Sequence, residues 1–395
     1  MRLYLTALNP TDAVLDGFLP AASRLGLPVT VLTDQPENWP PHVPVQRCAV
    51  RDPAAVVAAT TAGERPAALL SNSDHLQAVT ALAAHCIGLP GKDPEAARRC
   101  KDKALTRQTV AAAGLDTVLS VIIGPGDDPG RTASRLPYPV VVKPRAGVAS
   151  EDAYLVGDAD ELVARITEIR RRRPDPALVV EEYLAGELRT YDTLGDSTNI
   201  VPVGGWRTGL GPPPTFTEQT LEWAPPAADP AAEQVRAQLD ALGVSFGASH
   251  TEYVVQDDGR VRLIEVNYRL IGDRMDLILA ELLDIPIFEY VIRLHLGEPL
   301  TALAVPDPGS VPRHALVEYV CADRSGTLVA APGAVDDHRD GVRLHCRPLS
   351  RPGSSIHRTG TNRDYLAVLH AIGPGPAAVR DTLNAFRADL RWEIS

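Results

Sequence analysis

The sequence predicts an α/β protein of two or three domains, and three observations carry that prediction. Short apolar runs alternate with helical stretches through the first ninety residues, which is the rhythm of a small parallel sheet. Further β-rich runs closed by turn residues follow. The 395 residues also exceed what one ordinary hydrophobic core holds. A formal net charge of -11 would repel a polyanionic backbone, and no long basic stripe offsets it. Nucleic acid is therefore not an expected partner. With no apolar run of about 18 residues and no charged n-region before an h-region, neither a membrane span nor a signal peptide is indicated. The default location is the cytosol. The five cysteines are scattered without a CxxC pair, a pattern of reduced structural thiols rather than disulfides or a zinc site.

In chain order, MRLYLTAL reads as a strand, TDAVLDGFLPAASRLG as a helix, LPVTVLTD as a strand and AALLSNSDHLQAVTALAAHCIG as a strand–helix unit. No GxGxxG follows the first strand, so no dinucleotide site is read there. A helix from about residue 95 carries Lys103 and ends near Gly114, a strand covers about 116–123, and GPGDDPG is a loop. One strand ends at Lys143 and a second lies near 153–156, with a small-residue loop between them. DADELVARITEIRRRR predicts a helix with Asp158 as its N-cap and Arg170 to Arg173 in an exposed last turn, where cations suit the macrodipole. ALVVEEYL is a strand running into Ala185-Gly186. GLGPPPTFTEQTLEWAPPAADP reads as a long loop or lid. From about residue 310, short strands and turns lead to a closing helix in GPAAVRDTLNAFRADL.

Lysine occurs only at Lys92, Lys101, Lys103 and Lys143; every other basic side chain of this type is arginine. Two of the four stand where phosphate chemistry needs a compact point charge. Lys143 ends the apolar run of PVVVKPRAGVAS, and Lys103 begins a helical segment in CKDKALTRQTVAAAGL.

The segment GASHTEYVVQDDGRVRLIEVNYR places two β-rich runs around Asp258-Gly259, a strong hairpin signal. A two-residue loop there pairs Asp257 with Arg260, and counting back sets Glu252 opposite Glu265 and His250 opposite Asn267. Opposed residues share a face, so two carboxylates meet side by side. Either both point to water on a solvated face, or a hard divalent cation lies between them, with Asn267 as a neutral oxygen ligand. Oxygen-only ligands favour magnesium or manganese over zinc. Arg269, two residues further on, projects the same way if the strand continues, ready to hold a phosphate.

The ordered set CKDKALTRQTVAAAGL, VVVKPRAGVAS, VVEEYLAGE, HTEY and IEVNYRLIGD resembles that of the ATP-grasp ligases. The resemblance covers about residues 95–300. It implies a Rossmann-like pre-ATP-grasp βα domain over 1–95, an ATP-grasp region over 96–300 with a small lid at about 118–185, and a C-terminal α+β subdomain over 301–395 completing the unit. Lys103 and Lys143 resemble the lysines that contact the ATP phosphates. Glu181, Glu182, Tyr183 and Leu184 resemble the hinge that reads adenine, with Glu187 reaching the ribose. Glu252, Glu265 and Asn267 resemble the magnesium ligands, and Arg269 the arginine that holds the transferred phosphate; Gly272 and Asp273 continue the pattern. Three positions depart from it. The loop RAGVASED is poor in glycine, Leu188 stands where a second acidic residue is usual, and Tyr268 replaces a proline.

The resemblance implies ATP and Mg2+, with Mn2+ as the alternative ion, and a C–N bond-forming reaction. ATP phosphorylates a carboxylate, and an amine attacks the acyl phosphate to give an amide, ADP and phosphate. Arg207 and Arg274 are the cations nearest by sequence for a substrate carboxylate, and His250 and Gly272 are further substrate candidates. Length and C-terminal portion are similar to amino-acid ligases and to enzymes of peptide or siderophore assembly. That resemblance implies a place in bacterial secondary metabolism, and a homodimer is the family's implication; the high Ala, Arg and Pro content suits a GC-rich bacterial genome. Two other readings stand beside this one: a nucleotide-binding sensor of the same fold, and a bicarbonate-using carboxylase.

Overall fold

The computed structural model describes residues 1–173, 176–226 and 230–395. Its N-terminal part is a parallel four-stranded sheet made of β1 (Arg2–Thr6), β2 (Val29–Thr33), β3 (Val45–Arg47) and β4 (Pro66–Ser71), in the order β3-β2-β1-β4. The βα rhythm of the first ninety residues is this sheet. The expected single helix over about 95–114 is two helices, Pro94–Lys101 and Lys103–Ala112, separated at Asp102. Asp102 is extended, and its carboxylate accepts from Ala104 N and Leu105 N, so it caps the second helix and ends the first.

A second sheet is antiparallel. Its strands are β5 (Ser120–Ile123), β6 (Val140–Pro144), β7 (Tyr154–Val156) and β8 (Leu178–Glu182), ordered β5-β8-β6-β7. Asp158 caps the helix Ala159–Arg172, accepting from Glu161 N at 2.9 Å. The helix buries Leu162, Ile166 and Ile169, spaced four and three apart, against Val140, Val142, Val156 and Val180. Arg170 to Arg173 are less free than an exposed turn implies: Arg170 donates to Gly124 O and Asp127 O, while Arg172 and Arg173 pair with Asp152 and Glu151. The GPGDDPG loop runs into a short helix, Pro129–Ala133.

The third sheet is the scaffold. It joins β9 (Glu187–Asp196), β10 (Ile200–Gly204), β11 (Trp206–Leu210), β12 (Glu218–Trp223), β13 (Phe246–Val255), β14 (Val261–Asn267), β15 (His314–Cys321), β17 (Val335–Arg339), β18 (Val342–Pro348) and β20 (Tyr365–Gly373). Two short strands, β16 (Gly326–Ala330) and β19 (Ser355–Ile356), pair apart from it. Its order is β14-β13-β9-β11-β12-β15-β20-β18-β17, so the strands past residue 310 continue the same sheet. The main core runs from the N-terminal sheet through the helices Met275–Leu283 and Ile287–His295 to this large sheet. Among the described residues no helix is long and apolar enough to cross a membrane.

Two sequence expectations change here. The proline-rich segment is not one long loop: β11 and β12 form a hairpin, and only its turn carries Pro212 to Pro214. That turn touches the second sheet and the loop before β7, where Leu155 N donates to Pro214 O at 2.8 Å and Ser150 Oγ to Phe216 O at 3.0 Å. The last part of the segment, residues 227–229, lies outside the described residues. In the second case, the β13–β14 turn is one residue longer than expected. Gln256 N donates to Arg260 O, leaving Asp257, Asp258 and Gly259 as a three-residue loop with Gly259 at φ +79°. A bulge at Ile264 then shifts the register back, and Glu252 does face Glu265, as His250 faces Asn267.

Lys92 joins the N-terminal helix Gln77–Cys86 to the end of β14. Its ammonium donates to Gln77 Oε1 at 2.6 Å and to Tyr268 O, and lies 4.5 Å from the Tyr268 ring centroid. Burial pulls its pKa down to about 7, against about 10.4 in an unfolded chain. The unfolded chain binds more protons between those values, so this group adds stability as pH rises from 7 toward 10 and loses it as pH falls through 7. Between pH 7 and pH 9 the parent should gain about 2 kcal/mol over Lys92→Met in urea unfolding. Parallel pH profiles for the two proteins would contradict this.

Candidate active site

Between the lid sheet and the large sheet lies a cleft of about 330 Å³. Lys103 enters it because the Asp102 cap starts a new helix there. Arg145, on the lid, grips the Asp102 carboxylate with two hydrogen bonds of 2.7 and 2.6 Å, a bidentate geometry that fixes both partners. The Lys103 ammonium lies 2.8 Å from Glu265 Oε2 and 3.2 Å from Gly147 O. Lys143, near the end of β6, lies 2.8 Å from Glu181 Oε2. Arg107, one turn after Lys103 on the same helix face, completes this cluster: it holds both oxygens of Glu181, at 2.8 and 3.0 Å, and donates to Leu263 O. Burial alone would raise the Glu181 carboxyl, but Lys143 and Arg107 overcome it and hold the group well below the usual carboxylate range.

Across the cleft, Glu252 and Glu265 stand side by side and part-buried, 17% and 20% exposed. The two carboxylates differ in partners. Glu265 has Lys103 and is held low despite its burial. The cation nearest Glu252 among the described ion pairs is His250 Nε2 at 3.8 Å, and burial with Glu265 beside it pushes the carboxyl up. Asn267 Nδ2 bridges the pair, donating to Glu265 Oε1 at 3.0 Å and to Glu252 Oε1 at 3.3 Å. Two crowded carboxylates, with the Asn267 amide turned over to present its oxygen in place of Nδ2, fit a hard divalent cation such as Mg2+. His250 is fixed by Asp192, its Nδ1 2.7 Å from Asp192 Oδ1.

Arg269 lies past the end of β14. Its guanidinium is held by Asp74, with Nη2 2.6 Å and Nε 2.8 Å from Asp74 Oδ2, and donates to Leu270 O. Glu218 and Asp273 border the same cleft. A stacked pair, Tyr319 and Tyr365 with ring centroids 4.1 Å apart, anchors both. Tyr319 Oη donates to Asp273 O at 2.8 Å and Tyr365 Oη to Glu218 O at 3.0 Å. Burial, with Asp273 and Glu265 nearby, pushes the Glu218 carboxyl upward.

Of the residues singled out in the sequence, Lys103, Lys143, Glu181, Glu182, Tyr183, Leu184, His250, Glu252, Glu265, Asn267, Arg269 and Gly272 all border this cleft. Three do not. Glu187 is tied to Arg189 at 3.0 Å and to Arg207, its partner on the neighbouring strand, and Leu188 borders the cleft in its place. Arg207 is thereby neutralised on the outer part of the sheet. Arg274 turns toward the N-terminal part, where it meets Asp12 at 3.0 Å and Asp16 at 3.5 Å. The hinge also has occupied groups: Glu182 accepts from Leu119 N and Arg262, and Tyr183 N donates to Pro139 O. Sequence reading missed Arg107, Asp74, Asp192 and Glu218. Only Arg107 had a local signal, its four-residue offset from Lys103.

These sheets and this cleft define an ATP-grasp protein. Residues 102–303 match the family described as carbamoyl-phosphate synthase L chain, ATP binding domain, and the chain belongs to it. It is 28% identical over 324 residues to an uncharacterised protein, y4rH, of Sinorhizobium fredii, a match covering 78% of this chain. The matched part is 64% of that relative's length. Among solved structures it is similar to the L-amino acid ligase from Bacillus licheniformis, with a TM-score of 0.83, 22% identity, and coverage of 100% of this chain and 98% of that one. It is also similar to the phosphoribosylglycinamide synthetase from Anaerococcus prevotii, with a TM-score of 0.71, 14% identity, and coverage of 100% and 99%. A third likeness is to the biotin carboxylase domain dimer of the 2-oxoglutarate carboxylase of Hydrogenobacter thermophilus, in complex with MgADP, ADP and bicarbonate. There the TM-score is 0.68 and the identity 16%, with coverage of 100% and 91%. At these identities the solved structures speak for the fold.

Removing Lys143 takes a cation out of the cleft and leaves Glu181 to Arg107 alone. Isothermal titration should show MgATP affinity falling by at least about tenfold in Lys143→Met, the loss of one charge-assisted contact. Arg207→Ala and Arg274→Ala should stay within about twofold of the parent. Equal losses in all three would refute this partition of the cations.

Proposed function

We propose that this chain is an ATP-dependent carboxylate–amine ligase that takes an amino acid as its carboxylate substrate. The observation that supports this most is the end of the cleft where Arg269, Glu218 and Asp273 lie together near the Glu252–Glu265 pair. An α-amino acid carries an anionic carboxylate and an ammonium group within a few ångströms. Arg269 matches the first, and Glu218 with Asp273 matches the second. Bicarbonate has no cationic group to set against that acidic wall, so the carboxylase reading has less support. A sensor without chemistry would not need both lysines, the metal set and Arg269.

In the proposed reaction a carboxylate oxygen of the amino acid attacks the γ-phosphorus of ATP, and ADP leaves with the electron pair of the broken P–O bond. The amine of the second substrate then attacks the carbonyl carbon of the acyl phosphate, phosphate leaves, and the amine gives up a proton. Glu252, Glu265 and Asn267 would hold Mg2+, which when bound would supply charge shielding for the phosphates. Lys103 and Lys143 offer ammonium donors to the transferred oxygens, and the ion pairs they now make with Glu265 and Glu181 keep them in place until nucleotide arrives. Arg269 orients the carboxylate, and Asp74 keeps Arg269 oriented. Leu184, Val254 and Ile264 offer an apolar slot for the base. The resemblance to enzymes of peptide or siderophore assembly favours a product of bacterial secondary metabolism.

ADP release should require an amino acid together with an amine and should vanish in Glu265→Ala. Glu218→Gln should raise KM for the amino acid by at least about tenfold, with KM for ATP unchanged. ATP turnover driven by bicarbonate without any amine would overturn the ligase reading.

A further inference from the structure

Away from the cleft, three strands of the large sheet bring ionisable residues into one row. Asp336 on β17 faces His345 on β18, and His345 faces His370 on β20. Glu281, from the helix Met275–Leu283, reaches down to this row. His345 Nε2 lies 3.4 Å from Glu281 Oε1, and His370 Nε2 lies 3.3 Å from Glu281 Oε2. The two imidazoles are stacked, with centroids 4.4 Å apart. His345 Nδ1 meets Asp336 Oδ1 at 2.5 Å.

Two features set this cluster apart from an ordinary ion pair. A charge-assisted hydrogen bond brings nitrogen and oxygen to about 2.7–2.9 Å, and both histidines stand off from Glu281 by more than that. Two donors on one tetrahedral zinc ion, each at about 2.0–2.1 Å from the metal, are about 3.3 Å apart. That is the spacing between each histidine Nε2 and its Glu281 oxygen; His370 makes a long hydrogen bond there, and among the described residues His345 Nε2 has no hydrogen-bond partner. The second feature is the carboxylate behind the first imidazole. A ligand histidine commonly gives its other ring nitrogen to a carboxylate, which fixes tautomer and orientation; Asp336 stands there. The other charged neighbours are Arg343, 3.2 Å from Glu281 Oε1 and 42% exposed, and Arg347, which pairs with Asp336.

We propose that Glu281, His345 and His370 form a binding site for a late first-row divalent metal ion, with Zn2+ as the ion of choice. Two imidazoles and one carboxylate are the ligand types zinc takes, and three protein ligands leave a fourth position open to water. The ion would pin the helix that starts next to Asp273 and Arg274 onto the C-terminal strands, bracing one wall of the cleft from outside. This is separate from the Glu252–Glu265 pair, whose oxygen-rich donors suit Mg2+.

The test uses the full chain, stripped with a chelator and then saturated with Mg2+. Zn2+ titration, with Co2+ visible absorption as the spectroscopic readout, should give one equivalent bound and a raised melting temperature. The same equivalent should persist in Glu265→Ala. Asp336→Asn should weaken Zn2+ by about 10–100-fold, and His370→Ala should weaken it further. Should His370→Ala not fold, the partly exposed Asp336→Asn and Glu281→Gln carry the test. Chain that binds MgADP but no Zn2+ would overturn the proposal, as would Zn2+ binding that survives His370→Ala or disappears in Glu265→Ala.

Discussion

Two carboxylates held side by side across a β-hairpin are the constraint to which the surrounding structure answers. Glu252 and Glu265 repel one another, and their partial burial makes the repulsion worse. Lys103 relieves only one of them. To put Lys103 there, the helix before it must stop at Asp102 and a new one begin, and Asp102 then serves as the anchor for Arg145 from the lid. One electrostatic demand thus ties together the hairpin, the helix break and the position of the lid sheet. Among the described residues Glu252 has no such lysine partner, and burial with Glu265 beside it pushes its carboxyl up.

The same logic extends outward in shells. Lys143 and Arg107 share Glu181, so three buried or part-buried charges hold one another in register. Breaking such a set by removing one partner leaves an uncompensated charge, which costs far more than the pair contributes when intact. At the opposite end, Asp74 comes from the N-terminal part to hold Arg269, and the stacked tyrosines come from the C-terminal strands to hold Glu218 and Asp273. All regions of the chain therefore meet at the cleft. Gly186 shows how tight the frame is, since a Cβ there would lie 2.3 Å from Val255 O.

Some of this was legible in the residues and some was not, for physical reasons. The facing of Glu252 and Glu265 followed from counting along a hairpin, because side-chain direction has a period of two. The turn was misjudged by one residue, and the bulge at Ile264 cancelled the error. Such a bulge has no sequence signal of its own. The prolines after Leu210 suggested a loop because they outweighed the β-rich FTEQTLEW run beside them; in the structure they mark only the turn. Arg207 and Arg274 were chosen for nearness along the chain, which says nothing of direction once Glu187 and Asp12 compete for them. Asp74 was out of reach because its partner lies 195 residues away.

Oxygen transfer from the substrate acid probes the proposed chemistry most directly. An amino acid labelled with 18O in its carboxylate would be turned over with ATP, Mg2+ and an amine, and the released phosphate examined by mass spectrometry. If the carboxylate is activated as an acyl phosphate in this cleft, one labelled oxygen moves into phosphate at each turnover. Unlabelled phosphate accompanying amide formation, or label appearing in AMP, would contradict activation through the γ-phosphate and with it the roles given to Arg269 and the two lysines.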